Sequence, residues 1–341
     1  MSRVLVTGGS GFVGSHLVDA LLREGRHVRC LLRATSSLKN LPADDIERVT
    51  GHLEDEESLA RAVEDVDVVY HVGGVTRVLS MDEFERVNTR GTENLIRACL
   101  RRTTPPVFLL ISSISAAGPA QLGSVRTEQD APQPISIYGR SKRGGEEAAE
   151  AAAARLPVTI LRPGIVFGPR DGELFTAIHS LAVSRFHVLP RRRTPPLSFI
   201  EASDLAQLML VAAERGRRLA PPGASSPGTG SGFYFATGDE FPTYRQFGHM
   251  VARCLGRRFA LPLVPPPPIP WTVAWMSEVI ARARKRPIML SRDKFREATV
   301  ESWACSSQAA REQLGWAPSA PLQQQMSATI DWYRSVGWLK H

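Results

Sequence analysis

The sequence predicts an α/β fold in which a doubly wound parallel sheet is followed by a smaller, mostly helical lobe. Short apolar segments alternate with helical ones up to about residue 165, as in parallel sheets that carry helices on both faces. The first apolar segment, 3–7, leads directly into a glycine-rich loop and a helix, the order typical of Rossmann-type domains. We therefore predict such a domain over 1–165, with its core continuing into parts of 190–240, and a lobe over 166–341 that mainly binds substrate.

Each element of the first domain follows from the spacing of its apolar residues. Segment 3–7 is apolar throughout most of its length, as expected for a strand covered on both faces. A helix over 11–24 repeats apolar residues at helical spacing and stops at Gly25, a residue type that commonly ends helices. Further strands are predicted at 28–32, 66–71, 107–112 and 158–161, and further helices at 56–64, 84–102 and 138–155.

The order of elements is less regular after residue 165. Residues 221–232 are rich in Gly, Pro and Ser and predict a surface loop, and prolines 265–268 predict an extended stretch. A helix with a broad apolar face and a basic end is predicted over 269–286, where Trp271 and Trp275 are neighbours on one face. Three interpretations stay open for this helix: core packing, a lid over an apolar pocket, or contact with anionic lipid headgroups.

Composition narrows the class of protein. The 341 residues are 43% hydrophobic and 22% charged, enough for one large domain with an added lobe. The net charge of +8 comes from cations that are dispersed apart from the clusters 191–193, 215–218 and 282–286, and this pattern favours a solvated basic surface over nucleic-acid binding. The four cysteines lack metal-binding or disulfide spacing, and no apolar run reaches the roughly 20 residues that span a bilayer. We expect a cytoplasmic protein without a metal, with peripheral contact to the inner membrane surface as an alternative.

The glycine-rich loop predicts a dinucleotide-binding site. Gly8, Gly11 and Gly14 form G-x-x-G-x-x-G between the first strand and the first helix. Glycine permits the tight turn and lets backbone N–H groups approach a pyrophosphate, while the helix N-terminus adds partial positive charge. The strand before and the helix after the motif favour this interpretation over a chance glycine turn.

The end of the second strand bears on the choice of cofactor. An NAD-specific site usually places an acid here for the ribose 2′-hydroxyl, whereas this chain has Arg33 and, further on, Lys39. Arg33 can pair with a 2′-phosphate through charge-assisted hydrogen bonds, or it can simply solvate the strand end. The sequence therefore favours NADP(H), with NAD(H) as the alternative.

A serine, a tyrosine and a lysine form the candidate catalytic set. Tyr138 and Lys142 lie one turn apart on a predicted helix, and Ser113 stands at the end of a predicted strand. An ammonium beside a phenol is expected to lower the phenol pKa, and a serine hydroxyl can hydrogen-bond the substrate oxygen while the tyrosine transfers a proton. The pair alone could occur by chance on a surface helix; the glycine loop upstream is what favours hydride transfer, with the cofactor carrying the hydride.

These motifs resemble the extended short-chain dehydrogenase/reductases, the epimerase/dehydratase-like family, almost from end to end. The matching residues, in the family's order, are Thr7-Gly8-x-x-Gly11-x-x-Gly14, Asn88-x-x-Gly91-Thr92-x-Asn94, Ser112-Ser113, Tyr138-x-x-x-Lys142, Leu161-Arg162-Pro163-Gly164, Phe199-Ile200-x-x-x-Asp204-Leu205-Ala206, Leu314-Gly315-Trp316 and Trp332-Tyr333. The resemblance implies a Rossmann-type fold, and a homodimer built from the helices that contain 94–96 and 148–154.

The resemblance also completes the predicted site. Its catalytic residues would be Ser113, Tyr138 and Lys142. Its cofactor-binding residues would be Thr7, Gly8, Gly11, Phe12, Val13, Gly14, Arg33, Lys39, His52, Leu53, Val72, Gly73, Gly74, Asn88, Tyr138, Lys142, Pro163, Gly164, Ile165 and Val166. Its substrate-binding residues would be Ser113, Ser115, Thr76, Phe167, Arg170, Trp271 and Trp275.

Departures from the family pattern narrow the chemistry. Dehydratases of the family carry an Asp-Glu pair directly after the catalytic serine or threonine, where this chain has Ile114-Ser115, so elimination of water is not expected. His52 replaces an acid that often contacts adenine. Ile165 stands where sugar-nucleotide epimerases often hold the diphosphate with asparagine, which makes the pocket less polar.

The sequence therefore predicts an NAD(P)(H)-dependent oxidoreductase that interconverts a ketone and a secondary alcohol on a relatively apolar small molecule. In this respect the chain looks closer to hydroxysteroid dehydrogenases and dihydroflavonol-type reductases, and the substrate would be steroid-, polyketide- or flavonoid-like. An NAD(P)-dependent epimerase of sugars or sugar nucleotides and a non-catalytic cofactor-binding scaffold are the alternatives. Scaffold relatives typically lose the tyrosine or the lysine, and both are present here.

Overall fold

The computed structural model describes residues 2–42, 44–76, 78, 80–224, 226–266, 268–283 and 292–339. The strands are β1 (Arg3–Thr7), β2 (His27–Leu32), β3 (Ile46–Thr50), β4 (Val68–His71), β5 (Val107–Ile111), β6 (Val158–Pro163), β7 (Ile165–Phe167), β8 (Phe186–Val188), β9 (Phe199–Glu201), β10 (Phe233–Ala236) and β11 (Leu261–Leu263). The helices are α1 (Phe12–Arg23), α2 (Glu56–Val63), α3 (Met81–Phe84), a π-helical segment (Glu85–Arg90), α4 (Gly91–Leu100), α5 (Ile114–Ala117), α6 (Ile137–Ala152), α7 (Gly172–Ser184), α8 (Ala202–Arg215), α9 (Tyr244–Cys254), α10 (Pro268–Ala283), α11 (Arg292–Ala298), α12 (Gln308–Leu314) and α13 (Leu322–Ser335).

Within the described residues, seven parallel strands form the central sheet, in the order β10-β6-β5-β4-β1-β2-β3. The chain builds outward from β1 through β2 to β3 and then crosses back to β4 on the other side of β1. The carboxyl ends of β1 and β4 therefore meet at the point where strand order reverses, which is where open α/β sheets bind their ligands.

Apolar residues of the sheet alternate between two helical layers. Val4 and Val6 pack with α1 and α8, whereas Leu5 faces the layer formed by α2, α4 and α6. Both faces of β1 are thus buried, and this explains why its sequence is apolar rather than alternating. The fold is the doubly wound parallel sheet that the sequence predicted.

A third apolar core holds the C-terminal lobe together. Phe167, Phe199 and Phe247 pack there with residues of α7 and α13, and Phe199 and Phe247 stack with ring centroids 4.8 Å apart. Two short parallel pairs, β7–β9 and β8–β11, lie outside the central sheet. The lobe is mostly helical, as predicted.

The structure also corrects several predicted elements. The helix predicted over 84–102 is interrupted by the π-helical segment Glu85–Arg90, and β3 and β10 were not predicted. Pro268 begins α10 instead of ending an extended stretch, and residues 284–286 of the predicted helix lie outside the described residues. No helix in the described part of the chain is both long and apolar enough to cross a membrane.

Candidate active site

A cavity of about 1190 Å³ opens at the carboxyl ends of the central strands, at the edge where β1 and β4 meet. Loops after β1, β4, β5 and β6 form one side of it, and residues of α7 and α11 form the other. Predicted site residues that line it are Gly8, Gly11, Phe12, Val13, Gly14, Arg33, Val72, Gly73, Gly74, Thr76, Ser113, Tyr138, Lys142, Pro163, Gly164, Ile165 and Val166. One cavity thus brings together residues predicted for cofactor, catalysis and substrate.

The glycine loop leaves no room for side chains at its base. Gly8 has a φ of 72°, and a Cβ built on it would lie 2.7 Å from the Cα atom of Gly73. A Cβ on Gly14 would lie 2.1 Å from the carbonyl oxygen of Gly8, so α1 can approach β1 this closely only with glycine there. The bare backbone and the N-terminus of α1 suit a pyrophosphate, so these residues fit the nicotinamide dinucleotide that the sequence implied.

A buried histidine ties the glycine loop to the helical layer. The Thr7 hydroxyl lies 2.7 Å from His71 Nδ1 and accepts a hydrogen bond from the Gly73 N–H, while His71 Nε2 lies 2.9 Å from the Thr92 hydroxyl. Thr92 donates its own proton to the Asn88 carbonyl oxygen, so these contacts fit a ring protonated at Nε2 only. Burial, with the nearby charge of Lys142, lowers the pKa of His71 to about 3 and keeps it neutral.

The π-helical segment places Asn88 beneath the cavity wall. Its side-chain oxygen accepts from the Val75 N–H at 2.9 Å, and its amide nitrogen donates to the Val75 carbonyl and to the Ser141 hydroxyl. Asn88 does not line the cavity; it fixes the loop after β4 to the first turns of α6. Thr7 does not line it either and contacts the loop through Gly73, so a cofactor-binding role for both residues stays a prediction.

The candidate catalytic residues converge at the junction of β5 and α6. Ser113 follows β5 and begins α5, Tyr138 lies in the first turn of α6, and both residues line the cavity. Lys142 lies one turn further along α6, and its ammonium donates to the Ile111 carbonyl oxygen at 2.7 Å. Phe84 packs against the phenol ring, with centroids 5.7 Å apart.

Both titratable members of this set are shifted by burial. Burial raises the pKa of Tyr138 to about 12; the Ser113 hydrogen bond opposes this rise, and the charges of Glu297 and Glu173 add to it. Burial lowers the pKa of Lys142 to about 8 against the opposing charge of Glu146. The expected lowering of the phenol pKa by Lys142 is thus wrong for this structure, because burial and nearby carboxylates outweigh any such effect.

An ion-pair network anchors the other face of α6 to the sheet. Arg162, in the Leu-Arg-Pro motif of β6, donates from Nε and Nη2 to the two carboxylate oxygens of Glu146 at 2.9 and 2.7 Å, and both residues are fully buried. Arg143 adds a bond to Glu146 at 3.0 Å. Burial opposes ionisation, but these guanidinium groups hold the pKa of Glu146 below its ordinary value.

Helix α11 of the second lobe holds the N-terminus of α6. Asp293 accepts from the Ile137 N–H at 2.7 Å, and Glu297 accepts from the Ser136 hydroxyl at 2.6 Å. Both carboxylates line the cavity, and burial raises the pKa of Glu297. Nothing in the sequence indicated this contact, because two acids one turn apart on a short helix are typical of a solvated face.

The wall near Tyr138 is mainly apolar. Side chains that sequence analysis missed, Val78, Met81 and Phe84, line the cavity from the segment after β4, and Leu174 and Ala177 line it from α7. Further lining residues that it missed are Ser10, Val75, Ile111, Ser112, Asp171, Gly172, Glu173, Leu205, Tyr244 and Lys294. An apolar substrate body would find partners on this wall.

Several predicted cofactor residues do not line the cavity. The ammonium of Lys39 lies 5.9 Å from the ring centroid of Trp338. His52 is exposed and accepts from the Glu54 N–H, and the Leu53 side chain packs against Gly91. A role of these three residues in cofactor binding stays a prediction.

Some of the predicted substrate residues line the cavity and others do not. Thr76 and Ser113 line the cavity, whereas Ser115 donates its backbone N–H to the Ser113 hydroxyl. Phe167 is fully buried in the core of the lobe, and Arg170 pairs with Asp19 at 2.8 Å. Trp271 and Trp275, predicted as lid residues, are about half exposed on α10 and do not line the cavity.

Comparisons with known proteins identify the family and the fold. The model of the NAD dependent epimerase/dehydratase family matches residues 4–225. The chain is 29% identical over 337 residues to Ceramide reductase of Caulobacter vibrioides, covering 98% of this chain and 96% of that protein. It is 26% identical over 348 residues to 3 beta-hydroxysteroid dehydrogenase/Delta 5-->4-isomerase of Mycobacterium tuberculosis, covering 98% and 91%. The crystal structure of Thermus thermophilus UDP-glucose 4-epimerase in complex with NAD is similar at a TM-score of 0.73 and 25% identity, covering 97% of this chain and 99% of that chain.

The fold and the comparisons together define an NAD(P)-dependent oxidoreductase of the extended short-chain dehydrogenase/reductase type. The chain belongs to the NAD dependent epimerase/dehydratase family, which confirms the family resemblance predicted from its motifs.

Proposed function

We propose that the protein is an NADP(H)-dependent reductase that converts a ketone to a secondary alcohol on an apolar small molecule. The observation that carries the proposal is the convergence of Ser113, Tyr138 and Lys142 in one cavity that apolar side chains also line. A phenol with a pKa of about 12 keeps its proton at neutral pH, and a proton donor is what carbonyl reduction requires.

Each residue of the set has one task in this reaction. The Ser113 hydroxyl donates a hydrogen bond to the substrate carbonyl oxygen, and Tyr138 gives its proton to that oxygen as the carbon gains a hydride. When bound, the nicotinamide supplies the hydride. The Lys142 ammonium, one turn away, stabilises the tyrosinate that remains, and proton return to Tyr138 restores the resting state.

The preference for the phosphorylated cofactor rests on Arg33. Its side chain is exposed at the end of β2 and lines the cavity. The Arg33 N–H donates to the Ser36 hydroxyl at 3.1 Å, which holds the turn after the strand and leaves the guanidinium available for a 2′-phosphate. NAD(H) is the alternative cofactor, since the family is NAD dependent.

The substrate class follows from the wall and from the relatives. Val78, Met81 and Phe84 offer apolar contacts near Tyr138, and Ile165 lines the cavity where a polar ligand for a diphosphate would be needed. Relatives named for ceramide and steroid chemistry support a lipid-like substrate for this chain. Glu173, Asp293 and Lys294 also line the cavity and could bind sugar hydroxyls, so epimerisation of a sugar or sugar nucleotide is the second candidate.

The decisive experiment follows cofactor stoichiometry with purified protein, NADPH and a panel of apolar ketones. A reductase consumes one NADPH for each alcohol formed, whereas an epimerase converts its substrate and leaves the free cofactor pool unchanged. Tyr138→Phe should lower kcat by about 10²- to 10⁴-fold while NADPH binding persists. Tyr244→Phe is the matched control, because it removes a phenol from the same cavity outside the Ser–Tyr–Lys set. Full activity in Tyr138→Phe would refute the assigned role.

A further inference from the structure

We propose that the protein docks peripherally on anionic membranes through α10 and the β8–β11 ribbon, with α10 lying flat in the headgroup region. Docking does not depend on the reaction proposed above. It rests on three observations: an apolar face turned to solvent, a cationic surround, and a contact between α10 and the wall of the cavity.

Helix α10 presents its apolar side chains outward. Trp271, Trp275, Met276, Val279 and Ile280 are between 45% and 52% exposed. Residues 268–281 contain a single charged residue, and its carboxylate is turned inward. This inverts the usual arrangement of a surface helix, in which the apolar face packs on the core.

The inward charge explains the orientation of α10. Glu278 is 3% exposed and accepts hydrogen bonds from the Arg292 backbone at 2.8 Å and from its guanidinium at 3.0 and 3.1 Å. Trp271 meets the ring of Phe295 edge to face, with centroids 5.8 Å apart. Contacts to α11 therefore fix the polar side of α10 inward, while the apolar side chains, including Trp271 beside Phe295, stay about half exposed.

The β8–β11 ribbon adds a second exposed apolar face. Phe186 is paired with Leu261 and Val188 with Leu263 across the two strands, and all four side chains are exposed. Phe259, just before β11, is exposed as well. Only four residues separate the end of β11 from the start of α10, so the two apolar faces lie close along the chain.

The chain segments that contain these faces are rich in cations. Segments 174–200 and 241–292 together contain thirteen Lys or Arg residues and one acid, Glu278. Their formal charge of +12 exceeds the +8 of the whole chain, so the rest of the protein is net negative. Arg185 and Arg258 are exposed directly beside Phe186 and Phe259. Clustered cations around an apolar face favour anionic headgroups over neutral ones.

Two other partners fit these observations less well. A symmetric dimer through this face would bring the cationic surround against itself, because a two-fold interface pairs each patch with its own copy. A nucleic acid would match the charge but would leave the tryptophans and aliphatic side chains uncovered. An anionic bilayer matches the positive charge and also covers the apolar side chains, since indole rings favour the boundary between water and hydrocarbon. At 16 residues, or roughly 24 Å, α10 is also too short to cross the ~30 Å core.

The position of α11 gives docking a consequence for substrate access. α11 packs on α10 through Phe295 and Arg292, and it lines the cavity with Asp293, Lys294 and Glu297. A membrane that holds α10 therefore lies one helix away from the candidate active site. An apolar substrate dissolved in that membrane would have a short path to the cavity.

Vesicle flotation with the full chain tests the proposal. We expect binding to vesicles of phosphatidylcholine mixed with phosphatidylglycerol at low salt, weaker binding as salt rises, and little binding to phosphatidylcholine alone. Trp275→Glu should weaken binding at least about tenfold, because it places a charge in the middle of the apolar face. Val336→Glu is the matched control: it adds the same charge at a similarly exposed apolar residue, at the C-terminal end of α13 rather than on α10. Equal thermal midpoints of the variants show that both fold.

Three results would overturn the proposal. Wild-type protein could fail to float with anionic vesicles at low salt. The two variants could lose binding equally, which would point to net charge alone. Sedimentation could show a wild-type dimer that Trp275→Glu converts to a monomer without any vesicle binding, which would make this face an interface between copies.

Discussion

Glu146→Gln tests whether the buried ion pair behind α6 stabilises the fold as its geometry implies. Glu146 receives two hydrogen bonds from Arg162 and one from Arg143, and it has no exposed surface. Glutamine keeps the shape of the side chain but removes the charge. Its amide NH₂ group is a donor and cannot accept a hydrogen bond from a guanidinium. Breaking a buried pair by removing one partner leaves the other charge uncompensated and costs about 3–5 kcal/mol. We expect the free energy of unfolding in urea to fall by this amount.

The neighbouring residue provides the control. Glu147 pairs with the same Arg143 at 3.3 Å, but its side chain is 62% exposed. Exposed ion pairs contribute about 0–1 kcal/mol, so Glu147→Gln should change stability little. Similar losses in both variants, or no loss in Glu146→Gln, would refute the reasoning that burial makes the difference.

The pH dependence of this difference has a definite sign. Because the folded pKa of Glu146 lies below its ordinary value of 4.5, ionisation stabilises the folded state at pH values above that ordinary value. The advantage of wild type over Glu146→Gln should therefore be complete at neutral pH. It should shrink as the pH falls below about 4.5 toward the folded pKa.

Two further variants and a pH profile test the cofactor site, the packing of α6 and the role of the lysine. Arg33→Ser should raise KM for NADPH by about ten- to a hundredfold and leave KM for NADH nearly unchanged. The reason is that a charge-assisted hydrogen bond to the 2′-phosphate is worth about 1.5–3 kcal/mol. An equal effect on both cofactors would contradict the assignment of Arg33 to the 2′-phosphate. Gly145→Ala should lower the stability of the fold in thermal unfolding by about 1–3 kcal/mol, because the new Cβ would lie 2.8 Å from the Asn88 carbonyl oxygen. Gly172→Ala is the control and should not destabilise the fold, because its Cβ meets nothing within 4 Å. The kcat/KM of ketone reduction should fall above about pH 8 as Lys142 loses its proton, and a profile that stays flat to pH 10 would argue against a required ammonium.

Short-range features of this chain could be predicted from sequence. The strand, glycine loop and α1 are consecutive, so the spacing of Gly8, Gly11 and Gly14 contains most of the information needed to place them. Tyr138 and Lys142 were recognisable for the same reason, because one turn of helix fixes their relation.

Contacts between distant parts of the chain could not be predicted. Strand β10 joins the sheet beside β6 from beyond residue 230, and nothing local distinguishes it from a loop-flanked apolar run. The hydrogen bonds of Asp293 and Glu297 to the start of α6 connect residues about 160 positions apart. The outward apolar face of α10 is a different case. Apolar periodicity shows that a helix has two faces, but which face turns inward depends on contacts with α11, such as the Glu278–Arg292 pair.

The hydrogen bonds between α11 and the start of α6 link the lining of the cavity to the pKa of Tyr138. Glu297 lines the cavity, and its charge also raises the pKa of the Tyr138 phenol. A change at Glu297 therefore alters both the lining of the cavity and the pKa of the phenol. These two properties are coupled in this architecture, and a redesign of α11 has to account for both.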